Sequence, residues 1–226
     1  MLGHVAGGDT LAGEALADLC EMYWYPLYAY ARRRGFGEQD AQDQTQAFFH
    51  HLLVRKDLEQ ADRHKGKLRS YLLRAMQNFL SNVRRYEQAE KRGGGQVPIS
   101  IDAHDAESRY KLEPAGLEDP EKLFDRRWAT TLLDHVLSEL EREFSKAGKA
   151  AQFDRLSPFI TAAGGVESYG ESAQHLNMSE GAVKVAVHRM RKRYRDLLHR
   201  QVAATIEDQH DGAVEEELRA LMGAFQ

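Results

Sequence analysis

Apolar residues recur every three to four positions along almost the whole chain, and no stretch sustains the alternation of a half-buried strand. That regularity admits helices and excludes sheets, so the sequence predicts an all-α protein. The stripe Leu16, Leu19, Cys20, Tyr23, Leu27 and Ala31 predicts a first helix ending near Arg34-Gly35, kinked or split by Pro26. Ala41, Thr45, Phe48, Phe49, Leu52 and Leu53 form a second stripe. A third runs Leu68, Leu72, Leu73, Met76, Phe79, Leu80 and Val83 towards Tyr86. Three helices of this length can close one small core, so residues 1–92 read as a helical domain.

Gly93-Gly94-Gly95-Gln96-Val97-Pro98 then breaks helix. Residues 93–120 carry Gly, Pro and acids without a stripe, and read as an extended or irregular linker. The glycines do not make a phosphate-binding loop, which needs a preceding strand and a closing Gly-Lys-Ser/Thr. Helical signal resumes at Pro120-Glu121. Leu123, Phe124, Trp128, Leu132, Val136, Leu140 and Phe144 form a long stripe ending before Gly148. A shorter helix from Phe153 to Ile160 ends at Gly164-Gly165, and two more follow at about 168–176 and 179–200. This gives a second helical domain over 121–204. Residues 205–226 read as a separate acidic helical extension, interrupted around Asp208 to Gly212, whose Leu218, Leu221, Met222 and Phe225 must pack on something.

Charge is strongly segregated although the net balance is only −4. Arg63 to Arg92 holds nine basic and two acidic residues, and Lys184 to Arg200 holds seven Lys or Arg against Asp196. Asp102 to Asp125 has eight acids and three bases, while Glu207 to Glu217 has six acids with no Lys or Arg. Two basic blocks separated by acid suggest two surfaces for a polyanion. Cys20 is the only cysteine, which excludes an intramolecular disulfide and a thiolate metal cluster. The start MLGHVAGGDT has neither the basic end nor the apolar core of a signal peptide, and no apolar run reaches membrane-helix length. A cytoplasmic protein without membrane insertion is expected.

The segment SYGESAQHLNMSEGAVKVAVHRMRKRYRDLL carries the most specific pattern. A short helix should end at Leu176, with Asn177 in the left-handed conformation and Ser179 capping the next helix. Val183, Ala186, Val187, Met190, Tyr194, Leu197 and Leu198 then make one buried stripe. Helix, short turn and basic second helix make a helix-turn-helix, whose second helix enters the major groove. Ser179 sits at the start of that helix. By position Glu180, Lys184, Val185 and His188 should face base edges, and Arg189, Arg191, Lys192 and Arg195 phosphates.

The other basic block interleaves Arg69, Tyr71, Arg74, Gln77, Asn78, Asn82, Arg84 and Arg85 on one side of its helix. Cations that track phosphates, amides that read splayed bases and an aromatic that stacks suit single-stranded or distorted nucleic acid. Upstream, Asp40, Asp43 and Gln46 share the polar side of the second helix. No further acid or histidine converges on them at metal-ligand spacing, so a protein-docking face is the better reading.

Here the sequence resembles a known family. DAQDQTQAFFHHLL looks like the core-binding helix of bacterial sigma-70-type factors, and GKLRSYLLRAMQNFLSNVRRYEQAEKR resembles their −10-reading helix. SEGAVKVAVHRMRKRYRDLL resembles the helix-turn-helix that reads the −35 element. Their order and separation are those of the two-domain extracytoplasmic-function (ECF) subfamily, over roughly residues 10–200. WYPLYAYARRRG and EKRGGGQVPISIDAHDAESRY look like the group common in planctomycetes. Ser172 stands where such proteins usually have an apolar residue, and Asn177 where they usually have glycine.

The resemblance implies an alternative sigma factor: not an enzyme, without cofactor or metal, acting at the nucleoid. Asp40, Asp43, Gln46 and Phe49 would meet the β′ clamp helices of RNA polymerase core. Arg69, Tyr71, Arg74, Asn78, Asn82, Arg84 and Arg85 would hold the melted −10 strand. The second domain would sit on the β flap and read −35 DNA, and the linker would thread polymerase channels. An anti-sigma protein or a kinase would be the regulator. The alternative is a helix-turn-helix regulator acting without polymerase core, which predicts a dimer on a palindromic site.

Overall fold

The computed structural model describes residues 6–54, 68–89, 103–113, 119–161, 168–206 and 212–225, with side chains except over 6–18, 53–54, 86–89 and 103–105. Among the described residues the fold is all-α, with no strand. The chain divides into two compact units, Met1–Thr131 with Thr205–Gln226, and Leu132–Ala204. The division falls inside a helix, after the expected boundary at residue 120.

The first unit begins with α1 (Ala6–Arg33), which runs unbroken through Pro26. The expected split does not occur. Proline removes one ladder hydrogen bond, but it lies in the run Met22 to Ala31, buried throughout. The packing of Tyr23, Leu27 and Tyr28 outweighs that loss. The helix stops at Gly35, whose φ of 92° is left-handed, with the Phe36 N–H donating to the Ala31 carbonyl at 3.2 Å. α2 (Glu38–Val54) and α3 (Leu68–Ala89) follow. Phe48, Leu72 and Met76 are fully buried, and the Phe48 and Phe79 rings meet at 5.7 Å.

Residues 93–120 depart from the expected irregular linker. Their described part contains α4 (Ala103–Lys111), held on α1 by two buried carboxylates. Glu107 accepts from the Tyr28 hydroxyl and, at 3.0 Å, from both Nε and Nη2 of Arg32. Glu113 accepts from the Tyr25 hydroxyl at 2.9 Å and pairs with Arg127. Burial pushes the Glu107 carboxyl up, yet the Tyr28 and Arg32 hydrogen bonds hold it below the usual range. Acids that read as solvated spacer are therefore anchors, their cost of burial offset by charge-assisted hydrogen bonds.

The unit is completed by the start of α5 (Pro120–Lys146) and by α10 (Ala213–Gly223). The described part of the expected separate extension therefore belongs to this unit, while its expected interruption around Asp208 lies outside the described residues. Ala213, Glu217 and Leu221 lie four apart on one helix face, and all three are buried. Glu217, only 1% exposed, receives Arg69 Nε at 2.6 Å and Nη2 at 3.3 Å. The same guanidinium pairs with Asp125 and lies 5.1 Å from the Trp128 ring. The Thr205 carbonyl accepts from the Leu68 N–H at 3.2 Å.

In the second unit, the rest of α5 meets α6 (Ala150–Leu156), α7 (Pro158–Thr161), α8 (Tyr169–Leu176) and α9 (Glu180–Ala204). Pro158 divides the single helix expected over 153–160, because it cannot donate to the ladder of α6 but fits the first position of α7. The expected end at Gly164-Gly165 lies outside the described residues. Leu132, Val136, Leu140, Leu156, Val183 and Val187 form the core. The Tyr194 hydroxyl donates to the Leu133 carbonyl at 3.2 Å, and burial pushes that phenol up to about 12. No helix among the described residues is long and apolar enough to cross a membrane.

Candidate nucleic-acid interface

The turn between α8 and α9 is built by its local sequence. Ser168 and Glu171 form a reciprocal capping box: the Glu171 N–H donates to Ser168 Oγ at 3.2 Å and the Ser168 N–H to the Glu171 carboxylate at 2.8 Å. Asn177 takes φ 51° and ψ 46°, with the Met178 N–H closing on the Ala173 carbonyl at 2.9 Å. Ser179 Oγ then accepts from the Ala182 N–H at 3.2 Å and caps α9. Ser172, on the inner side of α8, is fully buried.

Val183, Val187, Met190 and Leu197 bury one side of α9, as its periodicity predicts. Glu180, Lys184, Val185, His188, Arg189, Arg191, Lys192 and Arg195 are all exposed on the other. Lys184 Nζ pairs with Glu180 at 2.6 Å and lies 5.7 Å from the Tyr169 ring, itself stacked on Phe159. The hydrogen bond that Lys184 donates to Glu180, and the charge of that carboxylate, push the ammonium above its usual range. Arg191 is occupied within the unit. Its Nη2 and Nε donate to the Phe159 carbonyl at 2.7 and 3.2 Å, which ties α9 to α7. Of the four cations expected to face phosphates, Arg189, Lys192 and Arg195 are exposed without such a backbone contact among the described residues.

On α3 the structure sorts the expected residues into two groups. Arg74, Asn78, Asn82 and Arg85 are exposed and share one stripe, since steps of four and three residues stay on one helix face. Tyr71 is half-buried beside it. Three others are turned inward. Arg69, its side chain 13% exposed, is committed to Glu217 and Asp125. Gln77 donates to Glu121 at 2.7 Å. Arg84 donates to the Arg34 carbonyl and lies 4.7 Å from the Phe36 ring, bracing the turn between α1 and α2. Their places on the helix point towards neighbouring elements, which sequence spacing does not reveal.

On α2, Asp40 and Asp43 are exposed, Asp43 accepting from Gln39 at 3.1 Å, and Gln46 is half-buried. Phe49 does not belong to that face. It is 4% exposed, with its ring 6.0 Å from Phe48, so it is a core residue. The exposed neighbour one position on is His50. Sequence reading also missed Glu107, Glu113 and Glu217 as buried carboxylates. For Glu217 the signal was present, because it interrupts the spacing of Ala213 and Leu221. No group of His, Cys, Asp or Glu able to hold a metal ion occurs among the described residues.

No curated protein and no solved structure matches the chain. A family model described as ECF sigma factor matches residues 1–200, which covers α1 to α8 and most of α9 and stops before α10. With both exposed stripes inside that span, the chain belongs to the ECF sigma factor family.

Proposed function

We propose that the chain is an alternative sigma factor whose two stripes do different work: α9 reads duplex −35 DNA, and α3 captures the melted −10 strand. Family membership makes it a transcription initiation factor with RNA polymerase core and promoter DNA as partners. Residues 1–92 would then be sigma region 2 and 121–204 region 4, seated on the β flap. The observation that carries the assignment of strands is the texture of the α3 stripe. Two amides between two arginines, all exposed, suit unpaired bases flanked by phosphates. Site residues are Arg74, Asn78, Asn82 and Arg85 on α3, with Lys184, Val185 and His188 on α9. Action at the nucleoid and control by an anti-sigma protein or a kinase belong to the same reading.

The core-binding face is assigned to Asp40 and Asp43, with Gln46 and His50 beside them, against the β′ clamp helices. Both aspartates are exposed, so reversing their charge should cost only about 1–2 kcal/mol, mostly from placing arginine at residue 40 in the first turn of α2. Asp40→Arg with Asp43→Arg should nevertheless weaken binding to purified polymerase core about thirtyfold or more, as loss of interfacial charge partners does. Affinity capture with the tagged chain measures this. A folded double variant that retains core as the parent does would move the docking face elsewhere. A parent chain that never retains core, and binds palindromic duplex as a dimer, would favour the regulator that acts alone.

A further inference from the structure

Val185 is one of four large apolar side chains exposed among the described residues, and the one set in a polar DNA-facing stripe. It is 49% exposed, with Lys184, His188 and Arg189 exposed around it. Gly181 lies one turn earlier on the same face. Its φ is not left-handed, and a Cβ built there would meet nothing within 4 Å. Neither residue is therefore explained by the packing of its own chain. Both are also poorer helix formers than alanine, which fits each position. Local choices that cost helix stability without an internal gain point to a partner outside the fold.

The chemistry of the duplex identifies that partner. Major-groove edges present hydrogen-bond donors and acceptors, and one apolar group, the C5 methyl of thymine. Glycine lets a backbone approach a ligand more closely than any residue with a side chain. We propose that Gly181 and Val185 form a single contact device: the glycine brings α9 close to the groove, and Val185 packs on a thymine methyl within the −35 element. This rests on the reading of α9 as the −35 helix and adds the identity of one base and the group through which it is recognised.

Thymine-to-uracil exchange tests it, because the two bases differ by the methyl alone. The full chain assembled with purified polymerase core first selects a −35 duplex from a randomised pool, and each selected thymine is then replaced singly by uracil. One position should show about a fourfold loss, the effect of one buried methyl group. Val185→Ala should bind the thymine duplex about fourfold more weakly and be indifferent to uracil at that position. Alanine is the better helix former at an exposed site, so this variant folds. Gly181→Ala should weaken binding to every selected duplex about tenfold while its melting temperature stays level or rises. Loss of melting temperature alongside binding would overturn the role given to Gly181. A uracil penalty that persists in Val185→Ala overturns the methyl contact, as does a selected site with no sensitive thymine. A pool that yields no enriched duplex overturns the −35 reading itself, and the methyl contact with it.

Discussion

Replacing Glu217 by alanine is expected to destabilise the first unit by about 3–5 kcal/mol, more than substitution at any residue exposed on α3 or α9. The reason is the state of Arg69. Its guanidinium is largely buried, takes two contacts from Glu217 and one from Asp125, and stacks near Trp128. Removing one partner of a buried pair leaves a desolvated charge, which costs far more than the intact pair contributes. Asp125 remains, so the lower end of the range is expected. For a unit of this size about 3 kcal/mol lowers the melting temperature by roughly 6–12 °C, and tryptophan fluorescence, with Trp128 beside the pair, is the natural probe. Arg69→Met combined with Glu217→Leu should recover most of the loss, since an apolar pair of similar volume carries no desolvation cost. Truncation after Ala204 should be worse than Glu217→Ala, because it also removes buried Ile206, Ala213 and Leu221. A Glu217→Ala protein within 1 kcal/mol of the parent would show that the ion pair is solvated.

This cluster marks where sequence reading stops. The α8–α9 segment was legible almost residue by residue, because its determinants are local. A serine cap, a residue able to turn left-handed and a 3.6-residue stripe all lie within about thirty positions. Arg69 was assigned to DNA because it is basic and falls in a basic block. Its actual partners stand 56 and 148 residues away, and no periodicity connects them. Arg84 and Phe49 fail for the same reason. A stripe gives the face of a helix, but the width of that face depends on which neighbours flank it. Pro26 shows the converse, a strong local signal overruled by burial on every side. Glu107 and Glu113 carry a further lesson. Composition marks them as solvated, whereas the groups that donate to them, Tyr25, Tyr28 and Arg32 on α1 and Arg127 on α5, had no counterpart in any local pattern. What survives correction on α3 is a narrower and more coherent stripe, Arg74, Asn78, Asn82 and Arg85, than the block as a whole.

That narrower stripe sharpens the test that separates the two DNA surfaces. Lys184→Ala should relax base preference at one or two −35 positions and weaken closed-complex binding. A good base contact is worth about 1–3 kcal/mol, or roughly a five- to hundredfold loss of discrimination. The ion pair of Lys184 with Glu180 does not protect it from this role, since both side chains are more than half exposed and such pairs contribute little. Asn78→Ala removes an exposed amide that the proposed division of labour assigns to the melted strand, so binding to double-stranded promoter should stay nearly normal. Open complex on linear templates should fall instead. A pre-melted bubble removes the cost of unpairing, and therefore rescues Asn78→Ala if the amide helps opening. It does not rescue the variant if the amide contacts a captured base, so the template distinguishes the two ways α3 can act. Lys184→Ala should be indifferent to the bubble, because its duplex remains paired. Footprinting of closed and open complexes on both templates gives the measurement. Identical defects for the two variants on both templates would mean that one surface, not two, meets the promoter. The helix-turn-helix would then have to account for all DNA recognition by this chain.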